Sequence, residues 1–235
     1  RDITPPAGIY NRAWGAARHD TAEGVHRPLT ATAIAIRPMA SPGAEHETLV
    51  LVAMDAGWWQ TLDEERYIRG AVLERFGLEA SRVMIALSHT HSGPSITRRD
   101  ADQPGGELIA GYLEQMRGRV LDAVEEAIRN ARPATLAWTY GRCGLAANRD
   151  LPEQDVSKPS RVVCGFNPDS PADDTLLVGR ITDNSTGRII GTLVNYACHP
   201  TTLAWENRLI SPDYVGAMRE LVEARVREVP LSLVE

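Results

Sequence analysis

The sequence predicts an α/β fold, in which a mixed β-sheet packs against helices on its outside. Residues 48–55 and 83–88 are two apolar runs with the length and composition of buried strands. A segment with helical periodicity lies between them, so the three form a β-α-β unit, for which we expect a right-handed crossover. A second helical pattern, at residues 107–131, predicts a long amphipathic helix.

The first half of the sheet is defined by two strands. Residues 29–37 alternate apolar and small side chains and predict the first strand, and residues 41–47 predict a turn. The next strand, at residues 48–55, is almost entirely apolar, which is typical of a strand covered on both faces. It ends at Asp55, so that a carboxylate lies at the carboxyl end of a predicted strand.

The two predicted helices have clear start and stop signals. Thr61 and Glu64 form a capping-box pattern at the start of the first helix, and Gly77 ends it. Pro133 ends the second helix. The polar loop at residues 95–106, which precedes this helix, is expected to be mobile and to lie at the rim of the site. The side chains predicted to face the core are Ile68, Ala71, Val72 and Phe76 in the first helix and Ile109, Tyr112, Met116, Val120, Ala123, Val124, Ala127 and Ile128 in the second.

The second half of the chain is predicted to be mainly extended. Residues 134–140 predict a strand, and residues 176–182 and 188–197 predict a hairpin whose turn is formed by residues 183–187. The intervening residues 141–174 lack a regular pattern. A loop of this length in a compact domain is usually functional or mobile.

A third helix is predicted near the end of the chain. Its start is signalled by Ser211 at the N-cap, Pro212 at the first helical position and Asp213 in the first turn. The side chains that this helix is predicted to bury are Val215, Met218 and Val222.

Length and composition bound the class of protein. The 235 residues and the hydrophobic content of 43% suit a single globular domain, which we expect to cover residues 1–235. The net charge of −6 and the lack of a basic cluster argue against a nucleic-acid partner. The apolar runs are far shorter than the roughly 20 residues of a membrane-spanning helix. Because the chain begins at Arg1, without a methionine or a signal peptide, we expect a processed, trimmed or partial product.

The three cysteines, Cys143, Cys164 and Cys198, do not form a disulfide framework. Their spacing contains no CxxC pair, so a zinc–thiolate site is not expected. Two interpretations stay open from the sequence. Cys143 and Cys164 would form a bridge in an exported protein, or all three would be buried free thiols.

Histidines at two strand ends predict a metal site. His89 and His91 follow the strand at residues 83–88, and they point to the same side if the extended conformation continues. Ligands bind at the carboxyl ends of strands in open α/β sheets. The apolar strand at residues 189–197 leads in the same way to His199. Imidazole is a preferred zinc ligand, so the two strand ends together predict one shared zinc site.

The ligand set is left open by this reasoning. A catalytic zinc needs three protein ligands and an open water position, and Asp55 and Asp213 are the local carboxylates that could complete it. Asp55 could also support a zinc-bound histidine from outside, or cap the turn that follows it. His19 and His26 lie in an extended segment at residues 1–28 and are weaker candidates.

Other catalytic machinery is not indicated by the sequence. It contains no G-x-S-x-G elbow, no phosphate-binding G-x-x-x-x-G-K-[ST] loop and no G-x-G-x-x-G fingerprint. Ser88 and Ser92 stand beside histidines, but neighbours along a strand point to opposite faces. Ser88 and His89 would therefore not meet as nucleophile and base.

Five ordered motifs give the chain a specific resemblance. Residues 88–94 (SHTHSGP) resemble the signature of the neutral/alkaline (non-lysosomal) ceramidase family. The other matching stretches follow in the order of the family and cover nearly the whole chain. They are residues 2–6 (DITPP), 148–149 (NR) with 167–168 (NP), 199–201 (HPT) and 207–213 (NRLISPD).

The resemblance implies a set of site residues. The family holds one zinc ion with two histidines, one from each histidine motif, and with a glutamate and a tyrosine from later in the chain. Carried over, His89 and His199 would be zinc ligands. His91 would face the substrate and contact the reacting carbonyl or its oxyanion, with Arg149 helping to bind that oxygen. Asp213 would have a structural role or support the ligands from outside.

The resemblance also implies an activity. The chain would be half of a larger zinc-hydrolase domain that hydrolyses an N-acyl amide, such as that of ceramide, with a zinc-activated water. A second chain or a C-terminal fragment would supply the glutamate and the tyrosine, and a secreted or periplasmic location is expected.

Two departures from the family pattern leave alternatives open. Ser95 and Ile96 replace two glycines, and Pro212 and Tyr214 replace a glycine and an asparagine. The alternatives are a zinc hydrolase of another N-acyl or ester substrate, or a binding domain of the same fold without catalysis.

Overall fold

A computed structural model describes residues 1–39, 47–153, 157 and 161–228 of the chain. These residues form two compact units: unit 1 comprises residues 1–131 and 200–228, and unit 2 comprises residues 132–199. A compact unit is not by itself a separate domain, so the single domain expected for residues 1–235 stays a prediction. The turn predicted at residues 41–47 lies, apart from Glu47, outside the described residues.

The strands and helices are numbered in chain order. The strands are β1 (Gly24–Val25), β2 (Ala31–Ile36), β3 (Leu49–Met54), β4 (Val83–Leu87), β5 (Ala134–Arg142), β6 (Asp150–Pro152), β7 (Val162–Cys164), β8 (Thr175–Asp183), β9 (Ile189–Tyr196) and β10 (Leu209–Ile210). The α-helices are α1 (Leu62–Glu65), α2 (Ala71–Phe76), α3 (Ile109–Arg129) and α4 (Tyr214–Glu228). Among the described residues, no helix is long and apolar enough to cross a bilayer.

The main sheet of unit 1 is mixed, as predicted. Its order is β2-β3-β4, with β2 antiparallel to β3 and β3 parallel to β4. Parallel neighbours require a crossover, and the helical residues 62–76 supply it, which confirms the β-α-β unit. The parallel pairing brings the ends of β3 and β4 to one edge, where Met54 is paired with Leu87.

Strand β3 has one buried face rather than two. Val50, Val52 and Met54 are almost fully buried, while Ala53 between them is exposed. The prediction that this strand is covered on both faces is therefore wrong. Helix α3 packs on β2, and its apolar side chains join the same core as the buried residues of β3, so the helical layer covers one face.

The predicted capping signals of the first helical segment are confirmed. The Thr61 hydroxyl accepts a hydrogen bond from the Asp63 amide and donates one to the Glu64 carboxylate, and Gly77 ends the segment in the left-handed conformation. The segment is not α-helical throughout, because residues 66–70 between α1 and α2 form a π-helical turn. Ile68, Ala71 and Val72 are buried, and Phe76 is half-buried.

Helix α3 is the longest helix described, and its buried face follows the predicted period. A short 3₁₀ turn at residues 106–108 precedes it, so the regular helix begins at Ile109 rather than at Glu107. Leu113 is buried although the prediction omitted it, and Ala127 and Ile128 are only half-buried. The buried positions end at Val124, and the last turn of the helix is half-buried or exposed.

Helix α4 begins three residues later than the predicted cap. Its first residue is Tyr214, and Asp213 directly before it has a left-handed φ of 58°. The Asp213 carboxylate accepts the Tyr214 amide at 2.6 Å, so Asp213 caps the helix instead of lying in its first turn. The Ser211 hydroxyl accepts the Asp213 amide at 3.1 Å and stabilises this turn. Val215, Met218 and Val222 are half-buried.

Unit 2 is built on an antiparallel sheet with the order β5-β8-β9. Strands β8 and β9 form the predicted hairpin, with residues 184–188 between them. The segment predicted to lack regular structure contains a second, small hairpin of β6 and β7. None of the three cysteines forms a disulfide, so the Cys143–Cys164 bridge is wrong; they are thiols, but they are not buried, since Cys164 is exposed and Cys143 and Cys198 are half-buried.

The ion pair between Asp55 and Arg219 is expected to stabilise unit 1, and removing it tests this expectation. The Asp55 carboxylate is about 2% exposed and lies 2.7 Å from the Arg219 guanidinium. We expect Arg219→Ala to lower the free energy of unfolding by about 3 kcal/mol, because it leaves a buried carboxylate without its counter-charge. Chemical denaturation measures this. Arg225→Ala, an exposed position on the same helix, is the control, and equal losses for both variants would contradict the expectation.

A second prediction concerns the β8–β9 turn. Hydrogen bonds from Ser185, supported by the Thr186 amide and Arg132, hold the pKa of Asp183 well below its usual range. The carboxylate therefore contributes stability that is present above about pH 4 and is lost as the pH falls toward the lowered pKa. Asp183→Asn should lower the melting temperature at pH 7, and the difference from wild type should shrink at pH 3.

The control for this turn is Asp174→Asn, because Asp174 pairs with Arg142 on an exposed part of the same unit. Thermal unfolding followed by circular dichroism at both pH values gives the comparison. A difference between Asp183→Asn and wild type that stays constant from pH 7 to pH 3 would contradict the assigned role.

Candidate metal centre

His89 lies where the chain turns sharply after β4. The strand ends at Leu87, and the His89 amide donates a hydrogen bond to the Ala56 carbonyl at 2.9 Å, beyond the end of β3. The φ of His89 is 62°, in the left-handed region that residues other than glycine rarely adopt. The extended conformation therefore does not continue through the motif, and this premise of the prediction is wrong.

The two imidazoles meet nonetheless. The ring centroids of His89 and His91 are 5.3 Å apart, and one ligand nitrogen of each ring lies within 4.8 Å of the other. Both side chains are half-buried. The turn at His89, rather than the alternation of a strand, brings them together.

The orientation of His91 is fixed by a backbone carbonyl. Its Nδ1 lies 2.9 Å from the Ala13 oxygen, and a carbonyl can only accept, so Nδ1 carries a proton. Any contact of His91 with a metal ion or a substrate would therefore be made through Nε2. Histidines at metal sites are commonly held in this way by a carbonyl behind the ring.

Tryptophan side chains surround the histidine pair. The Trp58 ring centroid lies 5.4 Å from each imidazole, and Trp14 lies 4.7 Å from His91. Trp205, which is 46% exposed, packs edge-on against Trp14 at 6.3 Å. The sequence interpretation did not include these residues. The position of Trp58 directly after the strand that neighbours β4 was the available signal.

A second motif is bound to the histidine loop within unit 1. The Thr90 hydroxyl donates to the Ser211 carbonyl at 2.7 Å, and the Ser211 amide donates to the Ser92 carbonyl at 2.8 Å. The Asn207 amide group donates to the Ser92 hydroxyl at 3.0 Å. Residues 88–94 and 207–213, far apart in the chain, therefore form one hydrogen-bonded structure, which the short parallel pairing of β1 with β10 extends.

The two carboxylates proposed to complete the site have other partners. Asp55 accepts hydrogen bonds from the Thr30 amide and hydroxyl and from Arg219, so neither of its predicted roles is correct. Asp213 accepts from the Thr202 hydroxyl and the Leu203 amide, which makes it a structural residue. A carboxylate that is paired with an arginine or caps a helix is not available as a ligand.

The two weaker candidates, His19 and His26, lie in different surroundings. His26 lies 3.2 Å from the Ser211 hydroxyl through its Nδ1, beside the turn that precedes α4. His19 is half-buried in the N-terminal segment. Neither is among the described side chains that could hold a metal ion together with His89 and His91.

Two predicted site residues belong to unit 2. Arg149 is exposed, and its carbonyl accepts the amides of Leu151 and Gly165 in the turn between Asn148 and β6. His199 is half-buried and is the last residue of unit 2, bonded to Pro200 of unit 1. The roles of Arg149, His199, His89 and His91 in catalysis or zinc binding stay predictions.

Comparison with known proteins gives consistent matches. The profile of the family described as "Neutral/alkaline non-lysosomal ceramidase, N-terminal" matches residues 1–232. The chain is 26% identical to neutral ceramidase 1 of Arabidopsis thaliana and 25% identical to the neutral ceramidase of Oryza sativa subsp. japonica, in each case over 94% of this chain and 28% of the relative. The chain therefore spans just over a quarter of the length of these relatives.

Two solved structures have the same fold. One is described as a ceramidase complexed with C2, with a TM-score of 0.70 and 22% identity over 98% of this chain and 35% of that one. The other is the neutral ceramidase from Pseudomonas aeruginosa, with a TM-score of 0.71 and 22% identity over 96% and 35%. With the profile match over residues 1–232, these findings show that the chain belongs to the neutral/alkaline non-lysosomal ceramidase family, of which it has the N-terminal region.

Proposed function

We propose that this chain is the N-terminal part of a zinc-dependent amidohydrolase that cleaves the N-acyl amide bond of a ceramide-like lipid. Family membership supports a hydrolase of this type. The observation that carries the proposal for this chain is the half-buried pair of His89 and His91 at the carboxyl end of a parallel strand. Ligand sites in α/β folds lie at such strand ends.

The donor set of the histidine pair fits zinc. Zinc–nitrogen bonds are roughly 2.0–2.1 Å long, so two nitrogens on one zinc are at most about 4 Å apart. The ligand nitrogens of His89 and His91 lie within 4.8 Å of each other, so His91 is near enough to contact a substrate bound to a zinc ion on His89. In the proposal His89 and His199 hold the zinc, and His91 stands beside it. His199 is the last residue of unit 2 and is bonded to Pro200 of unit 1.

The remaining steps are assigned to side chains of this chain. Zinc, when bound, would lower the pKa of a water molecule from about 15.7 to near 7 and polarise the amide carbonyl. His91, as an imidazolium, would donate from Nε2 to the reacting carbonyl oxygen, because its Nδ1–H already donates to the Ala13 carbonyl. Arg149 would add a positive charge to the same oxygen. The tryptophan rings beside the imidazoles would exclude bulk water, which strengthens these interactions.

The proposal requires further ligands. Two histidines do not complete a catalytic zinc site, and Asp55 and Asp213 are held by other partners. We propose that a second chain or a C-terminal segment supplies them as a glutamate and a tyrosine. The relatives are more than three times as long as the aligned region, which is consistent with a contribution from residues beyond it.

The zinc assignment is tested by metal content. In the complete protein, His89→Ala and His199→Ala should each lower bound zinc at least tenfold, because each removes one of the few ligands. His91→Ala should retain zinc but lose turnover about 100-fold, the loss expected for a group that stabilises the oxyanion. Zinc is measured by plasma emission after dialysis, with His19→Ala as the control. Unchanged zinc in both ligand variants would refute the assignment.

A second candidate substrate is favoured by a specific observation. Ser95 and Ile96, which stand where family members usually have two glycines, line a cleft together with Trp58, the neighbour of the histidine pair. Ile96 is 1% exposed and its side chain belongs to the core. The Ser95 side chain, in place of a glycine, takes up space at the cleft, which favours a smaller N-acyl or ester substrate.

Comparative hydrolysis separates the two substrates. If the cleft excludes a bulky sphingoid base, short N-acyl amines should be cleaved with a kcat/KM at least tenfold above that of ceramide in detergent, in line with one poorly fitting group in an apolar site. The amine released from each compound is measured by chromatography. A clear preference for ceramide would instead support the lipid substrate.

A further inference from the structure

A small cleft adjoins the histidine pair in unit 1. Trp58, Ala13 and Thr90 line it, and the same residues contact the histidines through the Trp58 ring, the Ala13 carbonyl and the peptide bonds of Thr90. The cleft is open to solvent and has a volume of about 60 Å³. A group bound in it would be attached to a substrate whose reacting bond lies at the imidazoles.

A row of hydrogen-bonded polar side chains forms one side of the cleft. The Gln60 amide donates to the Ser95 hydroxyl at 3.2 Å, and the Ser95 hydroxyl donates to the Asp100 carboxylate at 2.6 Å. Because the Ser95 hydroxyl donates its only proton to Asp100, it does not donate to a ligand. The direction of these bonds makes Asp100 the terminal acceptor of the row.

The charge of Asp100 is available to a ligand. Arg12, the cation that lines the same cleft, forms its ion pair with Asp20 at 3.1 Å. Burial, and then the nearby charge of Asp100, raise the pKa of Tyr10, so this phenol stays neutral beside the carboxylate. A carboxylate next to a neutral phenol, an amide and an indole accepts a hydrogen bond from a hydroxyl group.

The cleft is held in shape by backbone contacts. The Tyr10 carbonyl accepts the Ser95 amide at 3.0 Å, and the Tyr10 amide donates to the Gly105 carbonyl at 3.2 Å. Gly105 has a φ of 76°, and a Cβ there would lie 2.0 Å from the Gly8 carbonyl oxygen, so only glycine permits this approach. A site fixed in this way before binding orders few side chains when a ligand enters.

We propose that this cleft is a specificity subsite that binds a hydroxyl group on the amine part of the substrate, with Asp100 as the acceptor. The proposal rests on the proposed amidohydrolase function, and it names Asp100 and Ser95 as the residues that select the substrate. Sites that hydrogen-bond a substrate hydroxyl discriminate strongly against analogues without it, because their polar groups are then left unpaired.

The test uses two amides with the same acyl chain, N-acylethanolamine and N-acylethylamine, which differ by one hydroxyl. The readout is the ratio of their kcat/KM values in the complete protein. We expect wild type to favour the hydroxylated amide about tenfold or more. Asp100→Asn should reduce this ratio at least fivefold, and Ser95→Ala should reduce it by a smaller factor, because Asp100 then loses the hydroxyl that orients it. Asp102→Asn, an exposed acid two residues further on, should leave the ratio unchanged.

Binding separates this proposal from the proposed function. The Kd of the two amides for zinc-free protein is measured by calorimetry alongside hydrolysis. If neither amide is hydrolysed but the hydroxylated one binds more tightly to wild type than to Asp100→Asn, the hydrolase proposal fails and the subsite is supported. Equal ratios of Kd and kcat/KM in wild type and Asp100→Asn would overturn the subsite, whether or not the protein hydrolyses amides.

Discussion

The candidate site depends on the hydrogen bonds of one buried hydroxyl. Thr90 is fully buried between the two histidines, and its Oγ1 donates to the Ser211 carbonyl while accepting the Ser92 amide. One side chain thus satisfies polar groups of two loops that are separated by more than a hundred residues. A buried hydroxyl or carbonyl without a partner would cost about 1–3 kcal/mol, so the two loops are stable chiefly when they are together.

This contact explains how strained backbone is tolerated nearby. Non-glycine residues with positive φ cost of order 1–3 kcal/mol each, and His89 and Asp213 are two of them. Each has compensation in its own surroundings. The His89 amide donates a hydrogen bond to the Ala56 carbonyl. The Asp213 carboxylate accepts hydrogen bonds from the Thr202 hydroxyl and from the amide of Tyr214, the first residue of α4. The strain is thus concentrated where the fold directs a histidine inward and starts a helix beside it.

The same loops connect the proposed chemistry to substrate selection. The turn that orients His89 and His91 continues through Gly93 and Pro94 to Ser95, which belongs to the cleft that ends at Asp100. Trp58, on the loop after the neighbouring strand, contacts both the imidazoles and the cleft. In the proposed hydrolase, a substitution at residue 95 or 96 can therefore change the substrate preference while the histidines stay the same. Proteins that share a fold commonly differ in function in this way.

The sequence by itself determined most of the secondary structure of this protein, the β-α-β unit and the importance of residues 88–94. These depend on local periodicity and capping, such as the apolar run of β3 and the Thr61 cap, which are recognised from residues close together in the sequence. The resemblance of five motifs also led directly to the family.

Only the tertiary structure decided how the site is assembled. No local pattern announces the positive φ of His89, the use of Asp55 by Arg219 rather than by a histidine, or the tryptophans around the imidazoles. Each of these is a contact or a strain between segments distant in the chain. These features are stabilised by burial and hydrogen bonding between distant segments in the folded state, so no single stretch of sequence predicts them.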